Sequence, residues 1–186
     1  MSQNLIRDLE EFTTEMAKHD PRQVINTKPT IPSPEIYALR TTLIQEEVQE
    51  TLLAMDALQN DIEMLEHAVY PEKGIPERMA EIGDGIADSI VVLIGTALAY
   101  GIPLQKVWDS VHHSNMMKVF EWIMCAACEG TGKKDNVEQD NCSWCDGAGG
   151  RYGPRKDVKK REDGKILKPD NWQPPKIQEI IEEAMQ

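Results

Sequence analysis

The sequence predicts an all-α protein, a helical bundle that carries a small cysteine-rich insert. Three observations predict it. Apolar residues recur at helical spacing over long stretches. Aromatics make up only 5% of the 186 residues, and Leu, Ile, Met, Ala, Glu and Gln dominate, a helix-forming palette. The periodicity then stops at Cys125, where glycines and paired cysteines take over, and returns only near the C-terminus.

Leu5 to Lys18 places apolar residues at 5, 6, 9, 12 and 16, the stripe of a short amphipathic helix. His19 to Pro34 contains four prolines and reads as an extended strap. From Pro34 to about Val69, Leu39, Leu43, Val48, Leu52, Met55, Leu58, Ile62 and Leu65 supply a near-helical apolar stripe. Tyr70-Pro-Glu-Lys-Gly-Ile-Pro76 is a break, and a second long helix is expected from Pro76 to Tyr100. Its centre, Ile90 to Leu98, is apolar almost all round and belongs in the middle of a bundle. Gly101-Ile-Pro103 ends that helix and starts a third, expected to run to about Trp122, since glycine suits C′ and proline N1. Asp163-Gly164 marks a turn, and a terminal amphipathic helix is expected from Lys176 to Met185. The expected division is a helical domain of residues 1–122 and 151–186, with an inserted knuckle at 123–150.

Composition narrows the function. The net charge of −12 disfavours general nucleic-acid binding, which needs a positive footprint. The local exception is Arg151, Arg155, Lys156, Lys159, Lys160 and Arg161, either a solvated strap or an anion contact. No uninterrupted apolar run reaches the ~18–20 residues of a membrane span, and no signal-peptide pattern opens the sequence. The expected compartment is the cytoplasm, where thiols stay reduced.

Two columns of carboxylates stand out. Glu46-Glu47-x-x-Glu50 lies on the first long helix and Glu81-x-x-Asp84-x-x-x-Asp88 on the second. Spacings of three and four return to one helix face, so each helix aims carboxylates in one direction. Such groups repel and are costly to bury unpaired, whereas hard oxygen ligands suit Mg²⁺ or Mn²⁺. Solvated acidic faces are common on helices, and Glu63 and Glu66 fit that plainer reading. Asp88 fits it poorly because it leads into the most apolar run of the chain. In Val111-His112-His113-Ser114-Asn115-Met116-Met117-Lys118, Asn115 and Lys118 lie three apart on one face; Asn115 can donate and accept hydrogen bonds and Lys118 is a compact cation suited to a phosphate oxygen, the plainer reading being a surface lysine and a packed histidine.

Three segments in this order, Leu39-Arg40-x-x-Leu43-Ile44-x-Glu46-Glu47-x-x-Glu50, Glu81-x-x-Asp84-x-x-x-Asp88 and Val111-His112-x-Ser114-Asn115-Met116-x-Lys118, resemble the all-α nucleotide pyrophosphohydrolases. That superfamily comprises the MazG-like and phosphoribosyl-ATP pyrophosphohydrolase-like enzymes. Asp163-Gly164-Lys165-x-x-Lys168-x-x-x-Trp172-x-Pro174-Pro175 resembles the tail of many phage and bacterial members. The resemblance implies a MazG-like helical bundle, a homodimer or homotetramer, and Mg²⁺- or Mn²⁺-dependent release of pyrophosphate from nucleoside triphosphates. It implies Glu47, Glu50, Glu81 and Asp84 as metal ligands, with Asp88 a further ligand or a partner of one. Glu46 is implied as a second-metal ligand or water-orienting base, and Asn115 and Lys118 as phosphate or nucleotide contacts. Members act on canonical dNTPs, damaged NTPs, dUTP or phosphoribosyl-ATP; the tail points toward a deoxynucleoside triphosphate, with a purine such as dGTP as the leading expectation.

Cys125-x-x-Cys128-x-Gly-x-Gly and Cys142-x-x-Cys145-x-Gly-x-Gly form a second signal. Two C-x-x-C pairs supply four thiolates for a tetrahedral structural Zn²⁺, and a redox dithiol would not need two matched pairs. The repeats resemble those of DnaJ-type co-chaperones, which carry four copies; the resemblance implies zinc binding and nothing of chaperone action. All four ligands being cysteines, no coordination position stays open for catalysis. The insert is expected either to stiffen a long loop or to present Trp144 or the basic strap to substrate or a partner subunit. Two other classes stay open: a zinc-knuckle binding module on a helical scaffold, and an inactive nucleotide sensor.

Overall fold

The computed structural model describes residues 5–133 and 141–186; residues 134–140 of the expected insert lie outside the described residues. The chain forms two compact units, Met1–Lys106 with Gln178–Gln186, and Val107–Ile177. The expected knuckle at 123–150 falls within the second.

The first unit is helical. It contains α1 (Leu5–Met16), α2 (Pro34–Glu66) and α3 (Ile75–Tyr100). Pro34 sits in the first turn of α2, and the Ser33 hydroxyl caps it by accepting from the Ile36 N–H at 3.4 Å. α3 ends where Gly101 adopts φ 66°, and the N–H of Ile102 reaches back to Ala97 O at 2.9 Å. The proline-rich strap bonds to the last carbonyls of this end: the N–H of Asn26 donates to Leu98 O, which also accepts from Gly101, the Asn26 Nδ2 donates to Ala99 O at 2.6 Å, and the N–H of Thr30 to Tyr100 O.

α2 and α3 run antiparallel, as the contacts Arg40 to Gly95, Thr51 to Ser89 and Asp61 to Arg78 require. The core is Val92, Ile94, Ala97, Leu98 and Ala99 on the C-terminal half of α3, the run expected at the middle of a bundle. By length and mean hydropathy α3 passes for a membrane span; its buried face and its aspartates suit the core helix of this hairpin instead. α2 and α3 also expose Leu52, Leu53, Ile86 and Leu93, each about half accessible.

The second unit holds most of α4 (Leu104–Met116) and an antiparallel ribbon, β1 (Phe120–Met124) with β2 (Gly150–Pro154), in the register Phe120↔Pro154 to Met124↔Gly150. Here one expectation is corrected. The third helix stops at Met116 rather than near Trp122. Phe120, Trp122 and Ile123 are aromatic or β-branched and have a partner strand 30 residues on, so pairing overrides continuation of the helix. After the ribbon, Asp163-Gly164 makes the expected turn, with Gly164 at φ 84° and a bridge between Lys160 and Ile166. The tail docks on α4 through Ser114, which is 4% exposed. Trp172 Nε1 donates to Ser114 O at 2.9 Å, and Ser114 Oγ donates to Gln173 O at 2.8 Å. The last helix, α5 (Ile177–Met185), belongs from Gln178 onward to the first unit.

Candidate active site and zinc knuckle

Gly85 decides how closely the two carboxylate helices approach. A Cβ there would lie 2.8 Å from Thr51 Oγ1 and 3.1 Å from Thr51 Cα, so α3 presses against the α2 backbone only because this residue lacks a side chain. The hydroxyls of Thr51 and Ser89 hydrogen-bond at 3.1 Å across the same contact. On one side of it a cleft of about 360 Å³ is lined by Glu50 from α2 and by Arg78, Glu81, Asp84 and Asp88 from α3.

The carboxylates in and beside this cleft are not alike. Burial pushes Glu47 above the ordinary carboxylate range, and the charges of Asp88, Glu50, Glu46 and Asp84 push it the same way. A divalent cation relieves that repulsion, and an all-oxygen donor set on two rigid helices fits Mg²⁺ or Mn²⁺ in kind. Glu81 is held by cations of the chain itself: Lys73 and Arg78 hydrogen-bond to its two oxygens and draw its pKa down. Arg78 also donates from Nε to Asp61 Oδ2 at 2.6 Å, and Asp61 is 5% exposed. Glu46 lines a different concavity, with Ile44, Gln45, Val48 and Gln49.

The hairpin therefore brings Glu50, Glu81, Asp84 and Asp88 into one cleft with Glu47 in electrostatic reach, and leaves Glu46 facing elsewhere. Asn115 and Lys118 belong to the second unit, where Lys118 Nζ donates to Asn115 Oδ1 at 2.7 Å. Sequence reasoning missed Lys73, Arg78 and Asp61. The i, i+3 spacing of Arg78 and Glu81 carried a signal for one of them; Lys73 arrives from the turn and Asp61 from another helix, which no local pattern marks.

The four cysteine sulfurs lie within 4.8 Å of one another, the one group of three or more such ligands among the described residues that does. Cys125 and Cys142 Sγ are 3.9 Å apart and Cys128 and Cys145 Sγ 3.8 Å, well beyond a disulfide. Tetrahedral Zn²⁺ with Zn–S near 2.3 Å spaces its sulfurs by roughly 3.8 Å, so the donors fit zinc in identity, number and spacing. The two knuckles repeat their backbone at an offset of 17 residues: Glu129, Gly130 and Gly132 have positive φ, and so do Asp146, Gly147 and Gly149. A Cβ on Gly132 would collide with Gly147 O, and one on Gly149 with Gly130 O, which is why both loops end in glycine. Their N–H groups donate to Cys128 Sγ and Cys145 Sγ at 3.3 Å each. Burial acts to raise both thiols. At Cys128 the Gly132 N–H and the neighbouring thiols outweigh it and bring the pKa down, whereas burial keeps Cys145 up.

A helical hairpin that carries two acidic columns, in a chain that also has a closed four-cysteine knuckle, is the layout of an all-α nucleotide pyrophosphohydrolase with a zinc-binding accessory. A family model described as phosphoribosyl-ATP pyrophosphohydrolase matches residues 9–115, and the chain belongs to that family, within the MazG-like superfamily. It is thus a pyrophosphohydrolase, and its family uses divalent metals. The match spans both acidic columns and Asn115, and ends before the ribbon and knuckle. No curated protein matches the chain.

Proposed function

We propose that this protein hydrolyses a deoxynucleoside or nucleoside triphosphate to the monophosphate and pyrophosphate, with a purine dNTP such as dGTP as the leading substrate. The observation that supports the reading most is the shared cleft of Glu50, Glu81, Asp84 and Asp88, with Glu47 beside it pushed up by burial and then by the charges of Asp88, Glu50, Glu46 and Asp84. Glu47, Glu50, Glu81 and Asp84 would hold Mg²⁺ or Mn²⁺, with Asp88 a further ligand or a partner of one. When bound, the metal neutralises phosphate oxygens and acidifies water for attack at phosphorus. A carboxylate of the set takes the proton; Glu46, which lines a separate concavity, is the proposed second-metal ligand or water-orienting base. Lys73 and Arg78 hold Glu81 ionised and in place. Asn115 and Lys118 contact the phosphates.

The apolar residues left open on α2 and α3 support a homodimer or homotetramer, in which a second copy covers Leu52, Ile86 and Leu93. The four free thiols suit a reducing cytoplasm, that of the host if the protein is of the phage type.

The test is chromatography of products from a panel of dNTPs and NTPs with Mg²⁺ or Mn²⁺. Metal-dependent formation of one monophosphate plus pyrophosphate establishes the reaction and the base preference. Silence across the panel, with the helices intact, transfers the activity to phosphoribosyl-ATP or defeats turnover altogether.

A further inference from the structure

The four cysteines of the knuckle are not equally placed. Cys128 and Cys142 are buried, at 7% and 3% exposure, whereas Cys125 and Cys145 are half-buried and line an open cavity of about 590 Å³. Ile123, Met124 and Trp144 give it an apolar wall, and Arg151 is the one cationic side chain on it among the described residues. A thiolate that is partly exposed beside a positive charge reacts with solutes, and a buried one stays inert. Zinc keeps its ligand sulfurs deprotonated, so the accessible two meet solvent as thiolates.

The sulfurs also meet across the two repeats. Cys125 stands 3.9 Å from Cys142 and Cys145 3.8 Å from Cys128, each pair joining an accessible sulfur to a buried one of the other repeat. Closure to a disulfide, with S–S near 2.0 Å, asks for a shift of roughly 2 Å shared between two side chains. The backbone already ties the repeats together, since Cys142 N–H donates to Gly132 O and Cys125 N–H to Gly149 O, each at 2.9 Å. Crossed disulfides can therefore replace the metal without the two loops coming apart.

We propose that the knuckle is an oxidation site as well as a staple, taking a small hydroperoxide and ending as a zinc-free loop with two crossed disulfides. The Cys125 or Cys145 thiolate attacks the peroxide and the O–O bond breaks. One oxygen stays on sulfur as a sulfenic acid and hydroxide departs. The buried partner thiolate then attacks that sulfur, forming the S–S bond and releasing a second hydroxide. Two rounds turn four thiolates and two hydrogen peroxide molecules into two disulfides and four hydroxides. Sulfur gives up four electrons and the peroxide oxygens take them. Zn²⁺ leaves because a disulfide sulfur no longer carries the charge that held it. The two matched C-x-x-C pairs thus serve the metal and supply both disulfides. The site lies wholly within the second unit and does not depend on the hydrolase reading.

The test uses the whole zinc-loaded protein, hydrogen peroxide and a chromogenic zinc chelator, followed by peptide mapping with free thiols capped. One zinc per chain should be released as two peroxides are consumed, and the bonds found should be Cys125–Cys142 and Cys128–Cys145. Dimedone, which traps sulfenic acid, should label Cys125 or Cys145 and neither buried cysteine. Dithiothreitol with added Zn²⁺ should restore the full zinc content, and the far-ultraviolet helical signal should hold throughout. Met124 lines the same cavity and serves as an internal clock, since its sulfoxide adds an oxygen whereas a disulfide removes two hydrogens. Zinc that stays bound while Met124 is oxidised overturns the proposal. So do disulfides formed within one repeat, dimedone on Cys128 or Cys142, or zinc loss that the reductant does not reverse. A protein that binds no zinc at all defeats the four-thiolate site as well.

Discussion

The acidic hairpin and the cysteine ribbon solve the same problem, gathering like-charged ligands, by different means. The hairpin mounts hard carboxylates on two long helices, so each group is placed by helical repeat and the gap between columns by a close contact at Gly85. The ribbon mounts soft thiolates on loops with left-handed backbone at Gly130, Gly132, Gly147 and Gly149 and draws the sulfurs within 4.8 Å. The charge divides with the chemistry. The first unit has 8 Lys and Arg against 21 Asp and Glu, and the second 12 against 11, so the excess negative charge sits entirely with the carboxylate unit and the second is near neutral. An open oxygen site suits an exchangeable metal that meets substrate, whereas a closed sulfur site suits a metal that stays.

The largest effect that could break this comparison is chemical. Glu50→Ala or Asp84→Ala should lower turnover on the order of a thousandfold or more, the loss of several kcal/mol of metal-borne stabilisation. The far-ultraviolet helical signal and zinc content should stay unchanged. Activity that survived either change would remove the catalytic assignment.

Next comes zinc. Cys142 is 3% exposed and its N–H donates to Gly132 O, which binds one knuckle to the other. Cys142→Ser should drop bound zinc from one ion per chain to a small fraction and abolish the Trp122 and Tyr152 near-ultraviolet signals, with α2 and α3 still folded. Native mass spectrometry reads the first and circular dichroism the second; a full zinc complement in the variant would contradict the four-thiolate site.

Smaller is the cost of closing the helix contact. Gly85→Val places methyl groups against the Thr51 backbone and should cost about 1–3 kcal/mol in urea unfolding. Gly83→Ala, where a Cβ meets nothing within 4 Å, should be neutral or slightly stabilising. Equal effects at the two glycines would show that α2 and α3 do not pack as described.

The smallest effect concerns pH. Glu47 has a folded-state pKa above its ordinary 4.5, so the folded chain binds the extra proton and stability falls as pH rises through the interval between the two values. Without added Mg²⁺ or Mn²⁺, Glu47→Gln should flatten that slope and raise Tm slightly at neutral pH. A lower Tm would mean that the carboxylate is paired rather than crowded.

How much of this was legible in the sequence follows from how each part is built. Helical repeat made the hairpin and its carboxylate columns readable, because Glu47 and Glu50, or Glu81 and Asp84, are neighbours in both chain and space. The cysteine pairs were readable for the same reason, two residues apart and repeated. What depended on distant partners was not. The switch from helix to strand after Met116 needs Gly150–Pro154 to pair with it, and the Asp61–Arg78–Glu81–Lys73 network joins two helices and a turn. Glu46, adjacent to Glu47 in sequence, points into another concavity because neighbours on a helix differ by about 100°.

The most direct test takes one preparation, exchanged into metal-free buffer, and measures zinc per chain and turnover together as Mg²⁺ or Mn²⁺ is added back. The predicted result is one zinc per chain throughout, no turnover at the start, and turnover that rises with the added cation. Turnover that instead followed zinc content, indifferent to Mg²⁺ and Mn²⁺, would place the chemistry at the thiolates and contradict the account.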